Sequence, residues 1–337
     1  MRFEGRRALV TGGLGFIGSN LSRALSQEGA EVTVVDASVP GCGANDYNLS
    51  GEPSIGVIRG DIGVPEEFRS IIESTDVIFN LAGDVSHIDS MNHPERDMER
   101  NTTSQLRFLE ACRRWRPGVR IVYAGTRQVY GVPRYLPVDE KHPIDPVDYN
   151  GVHKFAATQY HMMLTRTGAL DAATLRLTNV YGPRMSLTAS NQGFLGTFLK
   201  YLLKERSLSV FGDGMQLRDP VYVDDAVEAF LLLGLQQELC DRSFNMGGPE
   251  ILSLREIACA ASAAAGMRPP ETVPFPPDLK AIDIGSYYSD STRLRSATGW
   301  MPKVSFAEGF ARTLEFYRPR LSYYLPDSTA APVPTTA

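Results

Sequence analysis
The chain has 337 residues, 43% of them hydrophobic and 22% charged, enough for a large core in one big domain or two smaller ones. A formal net charge of -5 and a pI near 5.6 leave no basic surplus to steer it onto nucleic acid or an anionic membrane. Four scattered cysteines without a Cys-x-x-Cys pair read as reduced thiols of a cytoplasmic protein, not as a metal site; no signal peptide or membrane span is expected.

Apolar runs and helical periodicities alternate through the first half. Strands are expected at Arg7 to Thr11, Glu31 to Asp36, Ser54 to Arg59, Asp76 to Leu81, Arg120 to Ala124 and Ala172 to Leu177. Phe16 to Glu28 follows the first strand as a helix, and 38–53 reads as an irregular loop with Gly, Asn and Pro. Two longer helices are expected at Asn101 to Arg116 and Gly151 to Arg166. Buried strands alternating with helices predict an α/β fold, a Rossmann-like doubly wound parallel sheet. After Pro183 the texture changes to short segments, with helices near Phe194 to Lys204, Val223 to Gln236, Leu254 to Ala265 and Phe306 to Tyr317. The expected division is a dinucleotide-binding domain over 1–182, to which later segments return, and a smaller C-terminal substrate-binding lobe over 183–325. The uncharged Ala, Pro and Thr of 326–337 read as a disordered tail.

The turn after the first strand is Gly12-Gly13-Leu14-Gly15-Phe16-Ile17-Gly18. Strand, glycine turn and helix in that order let the backbone approach a pyrophosphate, which then meets free N–H groups at a helix N-terminus. Asp36 closes the second strand about 20 residues on, where a carboxylate takes the ribose hydroxyls of a dinucleotide. Ala37 and Ser38 follow it, with no arginine for a 2′-phosphate, so NAD is favoured over NADP.

From Thr11 to about Tyr317 the chain also resembles the extended short-chain dehydrogenases/reductases of the nucleotide-sugar epimerase/dehydratase group. Gly12, Gly15 and Gly18 match that group's Gly-x-x-Gly-x-x-Gly, with Phe16 and Ile17 between. Asp61-Ile62 resembles its adenine-contacting pair, and Asn80-Leu81-Ala82-Gly83 its cofactor-lining segment. Asn101 resembles its helix asparagine and is counted with the cofactor set. Thr126, in Tyr123 to Gly131, resembles its catalytic Ser or Thr. Asn179 lies in the stretch resembling the passage from cofactor to sugar nucleotide. Gln192 and Phe194 resemble base and sugar contacts. Arg218 resembles the arginine that holds a substrate diphosphate, and Lys280 falls near a second such position. The resemblance implies a homodimer built on the two long helices.

One departure matters. The group's catalytic pair is Tyr-x-x-x-Lys; Lys154 is present, but four residues before it stands Asn150, with Tyr149 one residue earlier. By resemblance Lys154 binds the nicotinamide ribose and lowers the tyrosine pKa. Positions i and i+4 share a helix face, whereas i and i+5 are rotated apart. Three readings follow: Tyr149 swings inward from a non-helical start, His87 on the loop after the fourth strand serves as base, or the protein binds without turnover. His153 and His161 are read as structural. Relatives that dehydrate carry Asp-Glu after the Ser/Thr; here Arg127-Gln128 stands there, and neither is an acid for water loss. Arg127 is instead suited to a substrate carboxylate or phosphate. The favoured function is NAD-dependent epimerisation of a nucleotide-activated sugar, with UDP the favoured nucleotide. The alternatives are an NAD-dependent oxidoreductase, an unusual lyase, or an inactive NAD and sugar-nucleotide binder.

Overall fold
The computed structural model describes residues 1–85, 87–188, 193–236, 238–276 and 283–325. The expected disordered tail lies outside them. Seven strands form one sheet: β1 Arg7–Thr11, β2 Glu31–Asp36, β3 Gly56–Arg59, β4 Val77–Asn80, β5 Arg120–Thr126, β6 Asp171–Leu177 and β7 Ser243–Asn245. Their order is β7-β6-β5-β4-β1-β2-β3, and every pairing is parallel. The sequence pattern misses β7, which is only three residues long and follows β6 by more than 60 residues. It also misses the short helices α2 Arg69–Ser74, α3 His87–Asn92 and α4 Pro94–Met98, each below two turns.

Alternation along each strand sends side chains to opposite layers. Ala8 and Val10 of β1 join a core with Leu21 and Leu25 of α1 (Phe16–Gln27) and Phe230 of α8 (Val223–Leu235). Leu9 points the other way, to Phe108 and Leu109 of α5 (Ser104–Trp115) and Met162 and Leu164 of α6 (Tyr149–Arg166). The first core continues into the C-terminal part through Leu199 of α7 (Gly193–Leu203), Ile257 of α9 (Leu254–Ala264) and Phe310 of the helix Phe306–Tyr317. Both α8 and β7 come from beyond residue 182 and return to the sheet.

The chain runs outward from β1 in both directions, so the order reverses between β1 and β4. In a doubly wound sheet that reversal opens a crevice at the carboxyl ends of the strands, where ligands bind. Phe79, on β4, is fully buried beside Phe3, their rings 6.2 Å apart. Phe79→Ala is expected to cost about 3–5 kcal/mol in chemical denaturation, because a close-packed site beside the central strand collapses poorly. A loss under about 1 kcal/mol contradicts this packing.

Candidate active site
A cleft of about 460 Å3 opens at that crevice. Its floor is the glycine turn. Gly12 has a φ of 69°, and a Cβ there would meet the Ala82 nitrogen at 2.9 Å; one on Gly18 would lie 2.2 Å from the Gly12 oxygen. The turn therefore packs backbone on backbone, and only glycine allows it. Helix α1 starts at Phe16 with no capping side chain and no acid in its first turn. Its N-terminal N–H groups are left for an anion. Asp36 accepts hydrogen bonds from the Leu14 nitrogen at 3.0 Å and the Ser38 nitrogen at 2.8 Å, which fixes its carboxylate at the end of β2. The cleft wall also carries Asp61, Ile62, Leu81, Ala82 and Gly83. This cradle, with an uncapped helix end at one side and an anchored carboxylate at the other, fits NAD.

Beneath the wall lies a polar network. The Thr11 hydroxyl donates to Asn80 Oδ1 at 2.8 Å and accepts from the Ala82 nitrogen at 3.2 Å. Asn80 Nδ2 donates to Gln105 Oε1 at 2.7 Å, and Gln105 Nε2 donates to the Ala82 oxygen at 2.8 Å. The same Nδ2 lies 3.3 Å from His161, whose ring stacks on Tyr123 with centroids 4.3 Å apart. Burial pushes the His161 pKa down to about 4, so the imidazole is neutral near pH 7.

At the other end of the cleft stand Thr126, Arg127, Gln128, Asn150, Lys154 and Asn179. Thr126 caps the turn Arg127–Tyr130: its oxygen accepts from the Gln128 nitrogen at 3.2 Å, leaving its proton to donate. Lys154 is buried and has no hydrogen-bond or ion-pair partner among the described residues. Burial lowers its pKa, with Asp97 and Asp84 opposing. Asn150 is fully buried. Its Nδ2 donates to the Asp84 oxygen at 3.1 Å and to Asp97 Oδ2 at 2.9 Å, while its Oδ1 has no partner. Asp97 also takes His153 Nδ1 at 2.7 Å.

Several expectations are corrected here. Tyr149 does not swing inward. Asp148 is the N-cap, accepting from the Gly151 nitrogen at 2.7 Å, so Tyr149 is already helical and lies on the outer stripe, 44% exposed. Asn101 is not in the cleft wall; it is buried behind it, with Oδ1 accepting from the Asp84 nitrogen at 2.9 Å. Arg218 is turned away: it donates to the Leu217 and Gly285 oxygens at 2.7 and 2.6 Å and faces Asp283 at 3.9 Å. Phe194 packs edge-on against Phe198, outside the wall. Gln192, Lys280 and the His87 side chain lie outside the described residues. The sequence reading missed Asp97, the shared acceptor of Asn150 and His153, and missed Cys42 and Arg100 in the wall. Nothing local marks Asp97, because its partners lie over 50 residues away.

The model of the NAD dependent epimerase/dehydratase family matches residues 8–247. A UDP-glucose 4-epimerase from Mycolicibacterium smegmatis is 35% identical over 93% of this chain and 98% of its own. The crystal structure of a UDP-glucose 4-epimerase from Thermotoga maritima with UDP-glucose superposes with a TM-score of 0.84 at 29% identity, over 94% of this chain and 99% of that one. A dTDP-glucose 4,6-dehydratase from Streptomyces venezuelae, solved with NAD, gives 0.84 at 26% identity over 95% and 99%.

The buried imidazole under the wall supplies a test. Its folded pKa, about 4, lies below the unfolded value near 6.5. Between those values the unfolded chain binds a proton that the folded chain refuses, so stability falls as pH falls, by up to about 1.4 kcal/mol per pH unit from this group. Denaturation of wild type against His161→Gln at pH 7.5, 6 and 5 is expected to show a flatter profile for the variant. Parallel profiles contradict a buried neutral His161.

Proposed function
The chain belongs to the NAD-dependent epimerase/dehydratase family, and from that premise we propose that it epimerises a nucleotide-activated sugar, with UDP the favoured nucleotide. One observation carries this reading: the two residues that follow Thr126 into the cleft are arginine and glutamine. Removing water from a sugar needs a carboxylic acid beside the leaving hydroxyl, and neither side chain is one. Among the described residues, the acids of the wall are Asp36, Asp61 and Asp84. Asp36 holds backbone N–H groups at the far end, and Asp84 is paired with Arg100 at 3.0 Å. The relatedness to UDP-glucose 4-epimerases supports the same reading.

NAD held in this cradle would supply reversible hydride acceptance at the reacting carbon. The glycine turn and the α1 terminus would hold its phosphates, Asp36 its adenosine ribose, and Asp61-Ile62 its adenine. Thr126 Oγ1 donates a hydrogen bond to the reacting oxygen. Lys154 Nζ takes the hydroxyl proton and gives it back, since it has no partner among the described residues and its burial favours the neutral amine. Asn150 cannot carry a proton in this range. The exposed Leu106 on α5 and Val152 and Met163 on α6, beside Tyr149, form the face on which two copies pair.

Lys154→Met is expected to lower kcat by about 10²–10⁴, and Thr126→Val by about 10²–10³, while Tyr149→Phe stays within a few-fold of wild type. Steady-state assays with UDP-glucose and UDP-glucuronate check this. A Tyr149→Phe loss as large as that of Lys154→Met would return the proton to Tyr149. Sedimentation is expected to show a wild-type dimer that Val152→Asp converts to monomer; a monomeric wild type sinks the pairing face.

A further inference from the structure
We propose that Arg127 grips a carboxylate on the sugar itself, so that the substrate is a nucleotide-activated hexuronate; this rests on the reading of the cleft as a nucleotide-sugar epimerase site. Three guanidinium groups must be considered. Arg100 lines the cleft but is spent on Asp84 at 3.0 Å. Arg218 is spent on two backbone carbonyls and Asp283. Arg127 lines the cleft and makes no ion pair or hydrogen bond among the described residues. It rests over the ring of the buried Tyr287, 4.8 Å from its centroid.

Stacking on an aromatic face orients a guanidinium and leaves its N–H edge free. Burial disfavours the charge, with Tyr287, Asp219 and Asp148 opposing. Asp219 is itself occupied by the Thr178 hydroxyl at 2.6 Å and the Ser289 nitrogen at 2.7 Å. A desolvated cation without a partner is costly, and the cost is recovered when an anion enters. The fork of N–H donors matches the two oxygens of a carboxylate.

The position selects the anion. Arg127 follows Thr126 directly, at the same strand end. Thr126 is assigned to the reacting oxygen, so an anion held beside it belongs to the sugar. The diphosphate hangs from the anomeric carbon, across the ring from C4, the carbon for which the related 4-epimerases are named, whereas a C6 carboxylate sits on the carbon next to C4.

The test is titration calorimetry of the purified holoenzyme with UDP, UDP-glucose and UDP-glucuronate, for wild type, Arg127→Met and Arg127→Lys. Wild type is expected to bind UDP-glucuronate about tenfold to a hundredfold more tightly than UDP-glucose, the range of a charged hydrogen-bonded pair. Arg127→Met is expected to lose that preference while keeping its affinity for UDP, which also reports an intact fold; Arg127→Lys is expected to keep part of it. Equal weakening of all three ligands overturns the proposal, since Arg127 then serves the diphosphate. A wild type without preference overturns it too. The parent reading fails separately: if wild type interconverts no epimers of either sugar, the epimerase assignment falls, whatever the preference shows.

Discussion
The site depends on one close approach. The first strand must end in a turn whose backbone touches the loop after β4, at a distance where a single Cβ on Gly12 would collide with Ala82. That contact puts the uncapped start of α1 over the strand ends and brings β1 against β4, where the strand order reverses. The polar network below serves the same geometry. Thr11, Asn80 and Gln105 tie the Ala82 backbone to the end of β1 and to α5, so the wall of the cleft is fixed from behind. Buried donors and acceptors left unmatched would cost more than the apolar residues they displace, and here each link of that chain is made.

Helix α6 supplies Asn150 and Lys154 to the cleft wall. Its buried side mixes the polar Asn150, Lys154, Thr158 and His161 with the apolar Ala157, Met162 and Leu164, while Val152 and Met163 face out. Asp97 organises the inward face. A buried carboxylate only accepts hydrogen bonds, so the Asn150 amide must offer it Nδ2, and Oδ1 is the atom left without a partner.

The charged groups divide by partner. Arg100 and Arg218 are neutralised within the fold, which makes them part of its architecture. Arg127 stacks on Tyr287 and makes no ion pair or hydrogen bond among the described residues. No helix among the described residues is long and apolar enough to cross a membrane, and no group of ligands among them is arranged for a metal.

By itself the sequence determined the first six strands, the main helices and the cofactor end of the cleft. Those features are local: a strand's period, a glycine turn, and an acid at a fixed spacing all act over a few residues. Phe16, Asp36, Asp61 and Gly83 reach the wall because they sit at strand ends or in the turns after them. Tertiary structure alone decided the proton-transfer end. Asp148 as the cap turned Tyr149 outward, Asp97 set the Asn150 amide from over 50 residues away, and neighbouring carbonyls drew Arg218 out of the cleft. Hydrogen bonds between distant segments leave no periodicity or spacing to read, so these orientations exist only once the sheet has brought the segments together.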